Sequence, residues 1–174
     1  MSIQVNNAGQ SGVNTLSQRS PEKWHEIMAT NVDGTYYCSQ RALEEMPDGG
    51  RVINISSVLG KFGVPGYTAY CTSKHAIIGF TRALALEVTP RKITVNAICP
   101  GWVETDMAHS GMEEGAATSR LTYEQFRRKA LAQVPLQEII QPEEVAALAC
   151  FLISSAAHNI TGQALNICGG RVSY

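Results

Sequence analysis

Tyr70 and Lys74 have the residue types and the spacing that acid–base chemistry on a carbonyl or hydroxyl group requires. They stand at the start of a predicted helix, where residues four apart lie on one face about one turn apart. A lysine charge beside a phenol favours the phenolate, so the pair predicts a Tyr70 pKa below its ordinary value of about 10. A tyrosine tuned in this way can exchange a proton near neutral pH.

Ser57 follows a predicted strand and precedes Tyr70 by thirteen residues. Its hydroxyl could donate to a carbonyl oxygen and hold that oxygen for protonation. Each feature alone has an ordinary alternative, since Tyr-Lys pairs at helical spacing are usually on the surface and Ser-Ser after a strand is usually a turn. Serine hydrolase chemistry is a poor alternative, because no G-x-S-x-G surrounds Ser57 and no histidine is obviously placed to activate it.

The elements that must position these residues alternate between strands and helices. Strands are predicted at Ile3–Val5, Arg51–Ile55, Ile93–Ile98 and Ala164–Cys168. Helices are predicted from Pro21 to about Met46 (with Ser20 as the N-cap and a bend near Asn31–Gly34), from Tyr67 to Val88, from Thr122 to about Gln133, and from Pro142 onward. This alternation predicts an α/β fold, a doubly wound parallel sheet with helices on both faces. Ligands bind such sheets beyond the carboxyl ends of the strands, where the predicted loops converge.

Composition argues against several other classes of function. The 174 residues carry a net charge of −1 and are 44% hydrophobic, so a nucleic-acid or anionic-membrane surface is not expected. No targeting segment is evident and the longest apolar run, Val145–Ile153, is too short to cross a bilayer, so a cytoplasmic location is expected. The five cysteines and four histidines form no metal-ligand spacing, and the cysteines are expected to be small buried side chains in a reducing compartment.

The order of the motifs resembles the classical branch of the short-chain dehydrogenase/reductase family. The matching features are Asn6-Asn7-Ala8-Gly9 after a strand, then Ser57, then Tyr70-x-x-x-Lys74, then Pro100-Gly101 after the next strand. The resemblance covers essentially the whole chain and implies a Rossmann-like fold. It also implies an oxidoreductase that uses NADP or NAD and transfers a hydride between the nicotinamide and a carbonyl carbon.

The resemblance assigns roles residue by residue. Ser57 would orient the substrate, Tyr70 would be the general acid/base, and Lys74 would lower the Tyr70 pKa and hydrogen-bond the nicotinamide ribose. Asn31 would support a proton relay through water to Lys74. Cofactor contacts would come from Asn7, Ala8, Gly9, Tyr70, Lys74, Pro100, Gly101, Val103 and Thr105. Residues 105–133 would form the substrate-binding loop, as a mobile lid or as a plain surface loop.

Particular stretches are similar to bacterial 3-oxoacyl-carrier-protein reductases, ketoreductases of aromatic polyketide synthesis and 3-hydroxybutyrate dehydrogenases. They are 70–81 (YCTSKHAIIGFT), 99–107 (CPGWVETDM), 134–136 with 141–145, and 164–170 (ALNICGG). All three groups handle β-keto or β-hydroxy acyl groups, so a small-molecule or carrier-protein-bound acyl substrate is expected. Arg127-Arg128-Lys129 could meet an acidic carrier protein or could form a solvated helix face. The resemblance also implies a homodimer or homotetramer.

One part of the family pattern is missing. A dinucleotide-binding fold has two βαβαβ halves, and a Gly-rich phosphate loop lies in the first βα turn of the first half. Gly9-Gln10-Ser11-Gly12 has the wrong spacing for that loop. The expectation is one partial Rossmann-like domain over residues 1–174, truncated at its N-terminus. The alternative function is then a non-catalytic fragment or interaction subunit that pairs with full-length family members.

Overall fold

A computed structural model of the protein describes residues 2–18 and 21–174. Four parallel strands form its sheet in the order of the sequence: β1 (Ile3–Asn6), β2 (Arg51–Ile55), β3 (Thr94–Pro100) and β4 (Ala164–Ile167). In the register of the sheet, Val5 lies opposite Ile53, and Ile53 lies opposite Asn96. The predicted parallel α/β sheet is confirmed, and all strand ends that carry the motifs lie at one edge.

The connections between strands are helical. The helices are α1 (Pro21–Met28), α2 (Gly34–Glu45), α3 (Thr68–Glu87), α4 (Asp106–Ser119), α5 (Tyr123–Leu131) and α6 (Pro142–Ile153). Short 3-10 turns occur at Leu16–Gln18, Val58–Gly60, Thr89–Arg91 and Ser155–Ala157. A π-helical turn at Ala29–Asp33 joins α1 to α2, at the place where a bend was predicted. The predicted N-cap Ser20 lies outside the described residues.

Each face of the sheet has its own apolar core. On one face, Val52 and Val95 pack with Leu84 of α3, in a cluster that also includes residues of α2. On the other face, Ile53 and Ile98 pack against Leu152 of α6. Because successive side chains of a strand point to opposite faces, continuous apolar strands feed both cores. Helices therefore cover both faces, as the sequence predicts.

The helix α4 is a feature that the sequence interpretation missed, since Gly111 and Gly115 suggested a loop. Thr105 begins the helix, with its hydroxyl oxygen accepting from the amide of Ala108 at 3.4 Å. A Cβ atom on Gly115 would clash with the ring of Phe126 in α5. The glycine therefore makes room for the Phe126 ring between the two helices and does not mark a turn.

The cysteines only partly match the expectation that all five are buried. Cys71, Cys99 and Cys168 are buried, whereas Cys38 on α2 and Cys150 on α6 are exposed, because they lie on the outer sides of these helices. Across residues 2–18 and 21–174, no helix is both long enough and apolar enough to cross a membrane. The same residues contain no group of three His, Cys, Asp or Glu side chains that could hold a metal ion.

Candidate functional site

The loops that follow β1 and β2 meet the first turns of α3 at the carboxyl edge of the sheet. Gly9, in the loop after β1, is the point of contact. A Cβ atom on Gly9 would lie 3.5 Å from Nζ of Lys74 and 3.6 Å from Oδ1 of Asn31. The structure therefore brings Gly9, Asn31 and Lys74 together, although they are far apart in the sequence.

Lys74 is held against the end of β2. Its Nζ donates to the carbonyl oxygen of Ile55 at 2.9 Å, and the hydroxyl of Ser56 donates to the carbonyl oxygen of Lys74 at 2.8 Å. The residue is 5% exposed, and burial lowers the pKa of its ammonium group to about 8. Nζ lies 5.5 Å from the centroid of the Tyr70 ring. The positive charge of Lys74 thus lies near the Tyr70 ring, while its hydrogen bond goes to Ile55.

Tyr70 is half-buried and its side chain is hydrogen-bonded to that of Ser57. Burial raises the pKa of Tyr70 to about 12, and the hydrogen bond with Ser57 acts in the opposite direction. The predicted lowering of this pKa by Lys74 is therefore wrong for this structure. The physical reason is that desolvation of the phenol outweighs the favourable contacts, while the Lys74 ammonium is turned toward Ile55.

Ser57 stands where β2 has ended and a 3-10 turn begins. Its backbone is extended and its side-chain oxygen accepts from the amide of Leu59 at 3.1 Å. Because the oxygen is occupied as an acceptor, the hydroxyl hydrogen can be directed at Tyr70 or at a ligand oxygen. The capping contact therefore orients the hydroxyl and leaves its donor function available.

Asn31 lies in the π-helical turn and is 2% exposed. Its Oδ1 accepts from the amide of Gln10 at 2.7 Å, and its Nδ2 donates to the carbonyl oxygen of Gln10 at 2.9 Å. Nδ2 also donates to the hydroxyl of Ser73 at 2.9 Å. Isolated π turns inside α-helices are frequent at functional sites. The Asn31 amide therefore ties the loop after β1 to the first turns of α3.

The predicted cofactor contacts lie at two strand ends. Asn7 and Ala8 are exposed in the loop after β1. Gly101 directly follows β3, and a Cβ atom there would lie 3.3 Å from Cβ of Cys168. Val103 pairs with Ile140 in an isolated parallel bridge, and Thr105 caps α4. Pro100 is buried at the end of β3. Pro100, Gly101, Val103 and Thr105 thus lie at or just after the carboxyl end of β3, and Asn7 and Ala8 lie just after that of β1.

A polar cluster at the base of α4 was not predicted. Nε2 of His109 lies 2.7 Å from a carboxylate oxygen of Glu104, and Nδ1 of His109 lies 2.7 Å from the hydroxyl oxygen of Tyr123. The guanidinium of Arg127 lies 3.6 Å from the other carboxylate oxygen of Glu104, so the charge of Arg127 is partly balanced within the chain. No sequence pattern reveals this cluster, because it forms only when α4 and α5 pack together.

A second contact joins α4 to the start of α3. Burial raises the pKa of Tyr67, and the charge of Glu114 and a hydrogen bond to that carboxylate raise it further. Trp102 packs on the inner side of α4, where a Cβ atom on Gly111 would lie 3.6 Å from its ring. The segment after β3 therefore forms a helical hairpin, α4 and α5, which contacts the start of α3 through Glu114 and Tyr67.

Comparison with known proteins is consistent with this geometry. Residues 1–171 match the family described as Enoyl-(Acyl carrier protein) reductase. The ketoacyl reductase of the monensin polyketide synthase from Streptomyces virginiae is 41% identical over 172 residues, which are 97% of this chain and 66% of that protein. A D-beta-hydroxybutyrate dehydrogenase from Cupriavidus necator is 38% identical over 98% of this chain and 67% of its own length.

Solved structures give the same result. A variant of the actinorhodin polyketide ketoreductase, crystallised with NADPH, superimposes with a TM-score of 0.92 and 40% identity, covering 99% of this chain and 67% of that one. The chain spans about two thirds of the length of the relatives it matches. Matched family, sequence identity and superimposed fold agree: the chain belongs to the short-chain dehydrogenase/reductase family.

Proposed function

We propose that this chain carries the catalytic part of an oxidoreductase that interconverts a carbonyl and a hydroxyl group with NADP or NAD. The observation that carries the proposal is the meeting of Ser57, Tyr70 and Lys74 beside Gly9 at the carboxyl edge of the sheet. The names of the relatives support it, since they include ketoacyl reductases and a hydroxybutyrate dehydrogenase.

The proton chemistry is assigned to Tyr70. Because burial keeps its phenol protonated, Tyr70 can give its proton to a substrate carbonyl oxygen during reduction and accept it again during oxidation. Ser57 hydrogen-bonds the same oxygen and orients the substrate. The Lys74 ammonium, protonated below a pKa of about 8, stabilises the phenolate that is left behind.

The residues present fit the nicotinamide end of the cofactor. The Lys74 ammonium has three donors, and the bond to Ile55 uses one of them, so others can meet a ribose hydroxyl. The absence of a side chain on Gly9 leaves the approach to Nζ open. Asn7, Ala8, Pro100, Gly101, Val103 and Thr105 would complete the contacts. The bound cofactor supplies the hydride, and the chain supplies orientation and the proton.

The substrate class proposed is a β-keto or β-hydroxy acyl group, free or linked to a carrier protein. The support comes from the relatives, one of which is named a 3-oxoacyl-acyl-carrier-protein reductase. Asn31 is proposed to hold the loop after β1 in place, so that water beside its backbone can connect Lys74 to solvent.

The test is a matched pair of tyrosine variants in the purified chain. NADPH and NADH binding is measured by calorimetry, and reduction of a β-keto ester is followed by the loss of reduced nicotinamide absorbance. Tyr70→Phe is expected to abolish turnover and leave the fold intact, whereas Tyr37→Phe, at an exposed tyrosine of α2, should behave as the unmodified chain. Where the unmodified chain turns over the ester, equal turnover by Tyr70→Phe would overturn the assignment.

A second candidate function is an interaction fragment that pairs with full-length family members. It is favoured by β1, which pairs with β2 alone among the described strands, while Ile3 and Val5 are 42% and 45% exposed. Parallel strand edges with exposed apolar side chains are prone to associate. Size-exclusion chromatography with a full-length relative tests this candidate. A folded chain that stays monomeric and does not co-elute would contradict it.

A further inference from the structure

We infer that Asn54 and Thr81 are positioning residues, which set the rotation and the height of α3 and thereby place Tyr70 and Lys74. The inference rests on the proposed function only in treating Tyr70 and Lys74 as catalytic residues. Neither residue touches the reacting groups, and both are fully buried, each 0% exposed. Nδ2 of Asn54 donates to the hydroxyl oxygen of Thr81 at 2.9 Å, which joins β2 to the middle of α3.

The end of β2 is attached to α3 by consecutive residues. After the Asn54 bond to Thr81, the carbonyl of Ile55 accepts from Nζ of Lys74, and the hydroxyl of Ser56 donates to the carbonyl of Lys74. Lys74 and Thr81 are seven residues apart, which is about two helical turns on one face. A helix held at two levels can neither roll nor slide against the strand. Rotation and axial position are therefore both determined by these bonds.

The same network reaches the loop after β1. Nδ2 of Asn6 donates to Oδ1 of Asn54 at 2.7 Å and to the hydroxyl oxygen of Ser39 in α2 at 2.9 Å. Asn6 directly precedes the Asn7–Gly9 loop, and Gly9 lies against Lys74. Asn54 thus connects both partners of the site, the loop on one side and α3 on the other.

The position of the network along the sheet distinguishes it from ordinary core packing. On the same face, two residues earlier in β2, Val52 packs with Leu84 in an apolar cluster. Apolar contacts are not directional, so they stabilise burial without selecting one rotation of the helix. A buried hydrogen bond does select a geometry, because a displaced donor or acceptor is left without a partner. The network of Asn6, Asn54 and Thr81 thus lies toward the carboxyl end of β1 and β2, next to the residues that meet Lys74.

The experiment compares Thr81→Ser with Thr81→Val in the whole chain. Serine keeps the hydroxyl acceptor, whereas valine has the shape of threonine and lacks it. The readout is the titration of Lys74, followed by NMR of carbon-labelled lysine and assigned with Lys74→Arg, beside the melting temperature. Thr81→Ser should keep the Lys74 pKa at about 8. Thr81→Val should shift this pKa upward toward its ordinary value, because the displaced ammonium becomes hydrated.

A double variant separates positioning from stability. In Asn54→Leu with Thr81→Val, both partners of this bond are replaced by apolar groups, which removes the donor that Thr81→Val leaves unpaired, while Nδ2 of Asn6 keeps its bond to Ser39. Because Asn6 loses its bond to Asn54, we expect the melting temperature to recover only in part, while the Lys74 titration stays shifted upward. If Lys74 titrates in Thr81→Val as it does in the unmodified chain, Asn54 and Thr81 have a purely structural role and the inference is wrong. Where Thr81→Val does not fold, the double variant decides by the same criterion.

This readout needs neither cofactor nor turnover. A failure of Tyr70→Phe to change activity would overturn the proposed function and leave the Lys74 result to decide the present inference. Where the chain is active, Thr81→Val should lower kcat more than it raises the KM of the carbonyl substrate, because it displaces Tyr70 and Lys74 relative to the reacting oxygen. Thr81→Ser should restore kcat.

Discussion

Nζ of Lys74 donates to the carbonyl oxygen of Ile55, 2.9 Å away, although Tyr70 stands one turn before it on the same helix. Helical spacing alone would pair the lysine with the phenol. The strand end supplies a fixed backbone acceptor, and this acceptor determines the direction of the ammonium. The lysine is therefore both a charge for the site and a link between β2 and α3.

The buried Lys74 ammonium should make the stability of the fold depend on pH. Its pKa is about 8 in the folded chain and 10.5 ordinarily, so the unfolded chain binds more protons between these values and stability rises with pH there. Integration predicts a gain of about 1 kcal/mol in the free energy of unfolding between pH 7 and pH 9. Urea denaturation across this range measures it.

Lys74→Met is expected to remove this rise, and Lys129→Met, at an exposed lysine, is expected to keep it. The range stops at pH 9 because the raised pKa values of Cys99 and Tyr70 have the opposite effect above their ordinary values. Those groups retain protons in the folded chain that the unfolded chain releases, so stability then falls. An unfolding free energy that does not change from pH 7 to pH 9 would contradict the burial of a charged Lys74.

Gly60 should tolerate no side chain. A Cβ atom there would lie 2.6 Å from the carbonyl oxygen of Lys74 and 2.8 Å from the hydroxyl oxygen of Ser56. Gly60→Ala is expected to destabilise the chain by about 2 kcal/mol, because the loop and α3 must separate. Gly79 lies in α3, and a Cβ atom there would meet nothing within 4 Å. Gly79→Ala should therefore stabilise the chain by about 0.5–1 kcal/mol. Denaturant titrations of the two variants compare these effects directly.

Glu114 should control the ionisation of Tyr67 across the contact between α4 and α3. Glu114→Gln removes a charge and is expected to lower the Tyr67 pKa, which stays above its ordinary value because burial is the first cause of the shift. Ultraviolet titration of the phenols, with Tyr67→Phe to assign the signal, measures the change. The neighbouring Glu113→Gln should leave it unaltered, and an equal effect of both variants would mean that the charge acts at a distance.

Local patterns predicted the strands, the bend at Asn31 and the meeting of the motifs at one edge of the sheet. These follow from short-range signals, since β-branched runs form strands and parallel strands place their carboxyl ends together. The grouping of Ser57, Tyr70 and Lys74 follows from a strand end and one helical turn, which is why the sequence was sufficient for it.

The properties that depend on packing were not predictable in the same way. Gly111 and Gly115 suggest a loop until the rings of Trp102 and Phe126 are placed against them. The direction of the Tyr70 pKa depends on how deeply the phenol is buried, and spacing carries no information about depth. The bond from Asn54 to Thr81 joins residues 27 positions apart, and neither position shows an unusual pattern.

The π-helical turn at Ala29–Asp33 interrupts the helical segment between β1 and β2, and its bonds between residues five apart take up one residue more than a regular turn does. Asn31 reaches the loop after β1 and Ser73 of α3 from this wider turn. Deleting one residue here would turn Asn31 relative to α1 or α2, and we expect the loop after β1 to lose its bonds to Asn31. Melting measurements alone could miss such a change, because it alters one polar contact and not the apolar cores.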